Sequence, residues 1–148
     1  MWDFGFMGVL HLGFLAIKRE LFFKTFANVD KKELQERLKK FAISIVHFAE
    51  SLPDSLGFRT VRNQIVRSGP SVAANYRAAC RAKSKADFIS KMGTVEEELD
   101  ETQFWLEFTV GLSNEYRTQV APLWKEADEL MAIVVSTIVS TKRNHPKK

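Results

Sequence analysis

Apolar side chains in this chain recur at alternating steps of four and three, and that rhythm constrains the fold more than any single residue. From Leu34 the series runs Leu38, Phe41, Ile45, Phe48 and Leu52; from Phe88 it runs Met92, Val95, Leu99, Thr102 and Leu106; from Val120 it runs Leu123, Ala127, Leu130, Val134, Thr137 and Thr141. Such steps place every member on one face of an α-helix, and a helix with a single apolar face must bury it against other helices. A fourth stretch carries Val61, Ile65, Val72, Tyr76 and Ala79 on one stripe. No segment alternates with the period of two that a half-buried strand requires. The expectation is an all-α protein, an antiparallel up-down-up-down four-helix bundle with an extra apolar N-terminal segment.

Helix boundaries follow from capping chemistry. Asp30, with Glu33 three residues on, reads as a capping box opening the first helix, and Pro53 closes it. The connection to Gly57 is short, so the second helix, from about Leu56 to Ala79, must return antiparallel. It contains Gly69-Pro70, and an internal proline costs on the order of 3 kcal/mol in a regular helix, so a kink or local opening is expected there. Ser84 and Asp87 open the third helix, Gly111 and Asn114 end it, and the loop to Pro122 leads into the fourth. This divides the chain into an extension over 1–30, a bundle over 31–142 and a basic tail over 143–148.

The extension is apolar from Met1 to Ile17 apart from Asp3 and His11, with Lys18-Arg19 after the apolar run. A secretory signal carries its positive charge before the run, and a membrane span needs about 20 apolar residues, so neither pattern is met. The segment reads as an appended piece, with a docking helix or a weak membrane anchor as the other readings. A single cysteine, Cys80, excludes an internal disulfide and fits a reducing cytoplasm.

Several chemistries are missing their residues. Di-iron bundles need Glu-x-x-His pairs, and none of His11, His47 and His145 lies three residues after a Glu. There is no phosphate-binding glycine loop, no Cys/His set for zinc and no nucleophile elbow, so no catalytic residue, metal, cofactor or small-molecule substrate is assigned. What remains is charge and a polar stripe. Gln64, Ser68, Ser71 and Asn75 lie at steps of four, three and four beside the apolar stripe of the second helix. Short amides and hydroxyls suit a buried contact where they can be fully hydrogen-bonded, so this stripe reads as a helix-to-helix or subunit contact. Arg67 is expected to be buried against Glu98 or Glu101 of the third helix, and Trp105 exceeds what the apolar seams must cover; Lys91 is grouped with them as a structural or interface residue.

Net charge is +4, unevenly spread. From Arg59 to Lys91 eight Lys/Arg stand against Asp87 alone, whereas from Glu96 to Glu129 ten acidic residues stand against Arg117 and Lys125. The two blocks either pair with one another or leave a basic footprint for nucleic acid, for which Arg59, Arg62, Arg77, Arg81, Lys83 and Lys85 are the candidates.

The ordered segments Asn63-Gln-Ile-Val-Arg-Ser-Gly69, Ser71-Val-Ala-Ala-Asn-Tyr76, Ala79-Cys-Arg-Ala-Lys-Ser84, Asp87-Phe-Ile-Ser-Lys-Met92 and Glu97-Glu-Leu-Asp-Glu-Thr102 resemble the bacterial four-helix-bundle proteins encoded within intervening sequences of 23S rRNA genes, a family similar to the accessory variability proteins of diversity-generating retroelements. The resemblance spans about Lys31 to Thr141; Pro70 departs from it, standing where a small hydroxyl residue is expected. It implies a homo-oligomer, a five-membered ring of bundles, with no catalytic activity, and by analogy with the retroelement relatives a role with RNA or DNA and a reverse transcriptase. The readings in competition are therefore a sequence-tolerant nucleic-acid-binding or RNA-protein assembly factor and a protein-interaction scaffold without a nucleic-acid role, with an enzyme disfavoured.

Overall fold

A computed structural model describes residues 29–144, and the expectations for the N-terminal extension and for the last four residues of the tail lie outside that range. Four helices make the bundle: α1 (Lys31–Ser51), α2 (Leu56–Ala79), α3 (Lys85–Leu112) and α4 (Arg117–Arg143). A 3-10 turn, Asn114–Tyr116, joins the last two. Each helix packs chiefly on its sequence neighbours, and α1 meets α4 more sparsely. The core is built from the predicted faces. Leu38, Ile45, Ile65, Val72, Met92, Leu99, Leu106 and Leu130 are all inaccessible to solvent.

The register is set by a few close approaches. Ser68 and Gly69 of α2 look in two directions. Ser68 meets Thr102 of α3 with the hydroxyl oxygens 2.9 Å apart, and Thr102 Oγ1 lies 2.7 Å from the carbonyl of Glu98. Ser68 donating to Thr102, and Thr102 to that carbonyl, leaves neither buried hydroxyl unsatisfied. Gly69 faces α1, where a Cβ would stand 2.5 Å from Cγ2 of Ile45. At the far end Gln119 of α4 donates to Ser51 of α1 over 3.1 Å, which fixes the start of α4 beside the end of α1.

Four local expectations are corrected. The helix continues through Gly69-Pro70 without the local opening, with the Ser71 hydroxyl bonding the Arg67 carbonyl at 2.7 Å one residue along from the bond proline cannot make. Asp30 occupies the N-cap of α1 but its carboxylate caps nothing, so no capping box forms there. Helix α4 starts at Arg117, ahead of Pro122, which is exposed within it, so the carbonyl the proline leaves free can be met by water. The buried face of α4 also drifts from the strict seven-residue repeat. Ile133 and Ile138 are buried while Thr137 and Thr141 turn partly outward and bond the carbonyls four residues back, as a straight helix of 3.6 residues per turn requires.

Candidate nucleic-acid interface

The up-down-up-down path puts the end of α2 and the start of α3 together at one end of the bundle. There Ser84 caps α3 by accepting from Asp87 N–H at 3.0 Å, and Asp87 accepts in turn from the backbone N–H of Lys83 at 3.0 Å. Asp87 also takes the Lys91 ammonium, which, with the Lys83 amide, holds its carboxyl below the ordinary range. The turn is therefore tied to the start of α3 by backbone and side-chain hydrogen bonds. Arg77, Arg81 and Lys83 are exposed on it, Lys85 is half-exposed, and none of the four side chains forms an ion pair among the described residues. The N-terminus of α3 brings a partial positive charge to that end and the C-terminus of α2 a partial negative one, so the excess there comes from the side chains.

Arg59 and Arg62, the other two candidates, sit at the opposite end. Both guanidinium groups donate to Asp54 Oδ1 at 3.1 Å, and Arg62 also donates to the Leu52 carbonyl at 3.3 Å. They close the α1–α2 turn. The six candidate cations thus divide into four at one end that are unpaired among the described residues and two that are engaged at the other.

Arg67 pairs with both expected carboxylates, Glu98 at 3.4 Å and Glu101 more closely, but its side chain is 50% exposed. The expectation of burial is corrected: Arg67 lies on the outer lip between α2 and α3, where its long stem reaches across the groove and its head stays in water. Its guanidinium holds the Glu101 carboxyl below the ordinary value, with burial opposing and the Trp105 indole N–H assisting at 3.4 Å. Gln64, Ser71 and Asn75 are each half-buried, Ser71 and Asn75 bonding carbonyls one turn back in α2; Ser68 is the member of the stripe that makes a side-chain hydrogen bond to α3 among the described residues.

Two arrangements escaped the sequence reading. Arg37 of α1 grips α4, with Nε 2.7 Å from Glu126 Oε1 and its Nη2 2.8 Å from Glu126 Oε2 and 2.6 Å from Glu129. The second is an aromatic ridge on α3. Trp105 stands edge-on to Phe104 and Phe108 at 4.9 and 5.4 Å between ring centres, yet Phe104 is 51% exposed and Phe108 39%. Exposed Leu112 continues the ridge, and exposed Val66 lies level with Phe104 in the register set by Ser68 and Thr102. The i, i+4 spacing of Phe104 and Phe108, off the buried stripe, is the signal that could have revealed it.

The family description 23S rRNA-intervening sequence protein matches residues 30–136. The chain belongs to this family. The fold also resembles a crystal structure of a protein of unknown function from the S23 ribosomal protein family of Bacteroides thetaiotaomicron, with a TM-score of 0.69, 30% identity, and coverage of 75% of this chain and 99% of that one. No match to the chain was found among curated proteins. Among the described residues no helix is long and apolar enough to cross a membrane, and no three of His, Cys, Asp and Glu gather as a metal ion would require.

Proposed function

We propose that this family member is a non-enzymatic homo-oligomer that binds nucleic acid without reading its sequence. The observation that carries the reading is the set of cations Arg77, Arg81, Lys83 and Lys85, unpaired among the described residues on a hydrogen-bonded turn, in a bundle where Arg37, Arg59, Arg62 and Arg67 are engaged by carboxylates. Phosphate is the group such a set takes, because point charges on flexible stems neutralise a backbone and carry no base code. In a closed ring, five-membered as the resemblance implies, the patch repeats and weak contacts add. Replacing Arg81, Lys83 and Lys85 together by Glu should abolish the gel shift of RNA or DNA seen at about 50 mM salt, while the oligomer keeps its mass. An unaltered protein that shifts neither at that salt would refute the reading.

The ridge of Phe104, Phe108, Leu112 and Val66 supports self-association, since exposed aromatic clusters of this kind are what interfaces cover. Phe104→Glu with Phe108→Glu should lower the mass measured by light scattering. Those residues would be discarded as the contact if the mass held. The same ridge also suits a protein-interaction scaffold, the reading left standing if nucleic acid does not bind.

A further inference from the structure

The cations Lys31 and Lys32 at the start of α1 and Lys142 and Arg143 at the end of α4 lie far apart in sequence from the Arg77–Lys85 turn. The topology brings all three groups to one end of the bundle, because α1 and α3 begin there while α2 and α4 finish there. Gln119 against Ser51 and Glu107 against Trp124 fix the direction of α4, and Ser68 against Thr102 fixes that of α3. Lys31, Lys32, Lys142 and Arg143 are exposed, and none of them forms an ion pair among the described residues. The carboxylates nearest them in sequence are Asp30 and Glu33 of α1, and Asp87 on the turn is already held by Lys91.

We infer that these four residues complete a polyanion footprint with the Arg77–Lys85 turn, and that its ligand is duplex rather than single-stranded nucleic acid. The inference rests on the nucleic-acid reading above and adds both the extent of the site and the kind of strand. Four helix ends spaced 8–10 Å apart cover roughly 20 Å. Over that length a duplex presents one charge per about 1.7 Å of axis, against one per about 3.4 Å for either strand alone. A single strand makes up that deficit only where its bases can stack on aromatic rings. Among the described residues at this end the rings are withdrawn: Tyr76 is 5% exposed and Phe88 packs against the core. The exposed aromatics among the described residues, Phe104 and Phe108, lie towards the opposite end of α3. On the described surface charge density is then what favours a ligand, and the duplex has more of it.

The test is fluorescence anisotropy on the full chain with a labelled DNA duplex of about 20 bp and with one of its strands, across about 50 to 200 mM salt. The duplex should bind several-fold more tightly. Lys142→Glu with Arg143→Glu, and separately Lys31→Glu with Lys32→Glu, should each weaken duplex binding and flatten the log–log salt slope by about 2, near 0.9 for each phosphate no longer neutralised. Helical circular dichroism with an unchanged melting temperature would show that the variants fold. A single strand that binds as tightly as the duplex overturns the inference, as do double variants that keep the full slope. If those variants bind normally while Arg81→Glu, Lys83→Glu and Lys85→Glu together lose binding, the proposed function stands and only this extension falls. If the unaltered protein binds neither probe, both fall.

Discussion

Replacing Gly69 by Ala tests whether α1 and α2 are as close as the packing requires. In an exposed helix the change would be favourable by about 1 kcal/mol, because alanine has the better helix propensity. Here the new Cβ would stand 2.5 Å from Cγ2, 3.0 Å from Cβ and 3.4 Å from Cγ1 of Ile45. These atoms sit at the branch point, tied to the α1 backbone, so the clash can be relieved only by moving the helices apart or by forcing Ile45 off its rotamer. Overpacking of that kind costs about 1–3 kcal/mol, which offsets the propensity gain and leaves a net loss of about 1 kcal/mol. For a bundle of this size that is a fall of about 4 °C in melting temperature at fixed protein concentration. The decisive measurement is a double-mutant cycle. Ile45→Ala alone should cost about 2–5 kcal/mol through the cavity it leaves, and in that background Gly69→Ala should turn stabilising, since the methyl enters the vacated space. The reasoning is refuted if Gly69→Ala raises the melting temperature of the unaltered protein, or if its effect is the same in both backgrounds.

Arg37→Ala should destabilise by about 1–2 kcal/mol, less than the roughly 3–5 of a fully buried pair because the guanidinium and both carboxylates remain partly wet, and it leaves Glu126 and Glu129 to repel one another. Arg37→Lys should recover little of this in a urea melt, since an ammonium cannot reproduce the two-pronged grip; full recovery would mean that charge alone matters. Acid should act through Glu101. Arg67 holds its folded pKa below the ordinary 4.5, so its contribution to stability is complete above that value and is lost as pH falls through the lower, folded pKa. Melting temperatures followed downward from pH about 5 should therefore decline less steeply in Glu101→Gln than in the unaltered protein, and parallel curves would remove Glu101 from the account.

The bundle was legible in the sequence because its strongest signal is local. A step of four and three places residues on one face whatever the partner, and so the cores of α1 and α3 fell where the spacing put them. The same rule misled at the end of α4, where Thr137 and Thr141 continue a seven-residue repeat that a straight helix does not follow. Pairings between helices were less accessible. Arg37 meets Glu126 from 89 residues away, a pairing set by the axial register of α1 on α4, and no spacing within either helix encodes it. Arg67 shows the intermediate case. Its partners could be named from the neighbouring acidic helix, but its exposure depends on where the groove between α2 and α3 closes.

An even number of antiparallel helices has a consequence for charge that composition does not convey. Every second junction falls at the same end, so residues near positions 31, 81, 85 and 143 share one surface although no two of these helix ends except the middle pair are close in sequence. Reading charge along the chain joins Arg59 and Arg62 to Arg77 and Arg81, because they share a helix; folding separates them by most of the length of α2 and gives the first two to Asp54. It sets Lys142 and Arg143 in their place. The block that looked continuous in sequence is thus divided, and the cations it leaves without an ion pair among the described residues, Arg77, Arg81, Lys83 and Lys85, lie where α1 and α3 begin and α2 and α4 finish. Two positive and two negative helix ends meet there, so the dipoles largely offset one another and the positive excess comes from the side chains. Positive side chains and the absence of exposed rings among the described residues act there in the same direction, which is why the proposed ligand is a dense and regular array of phosphates.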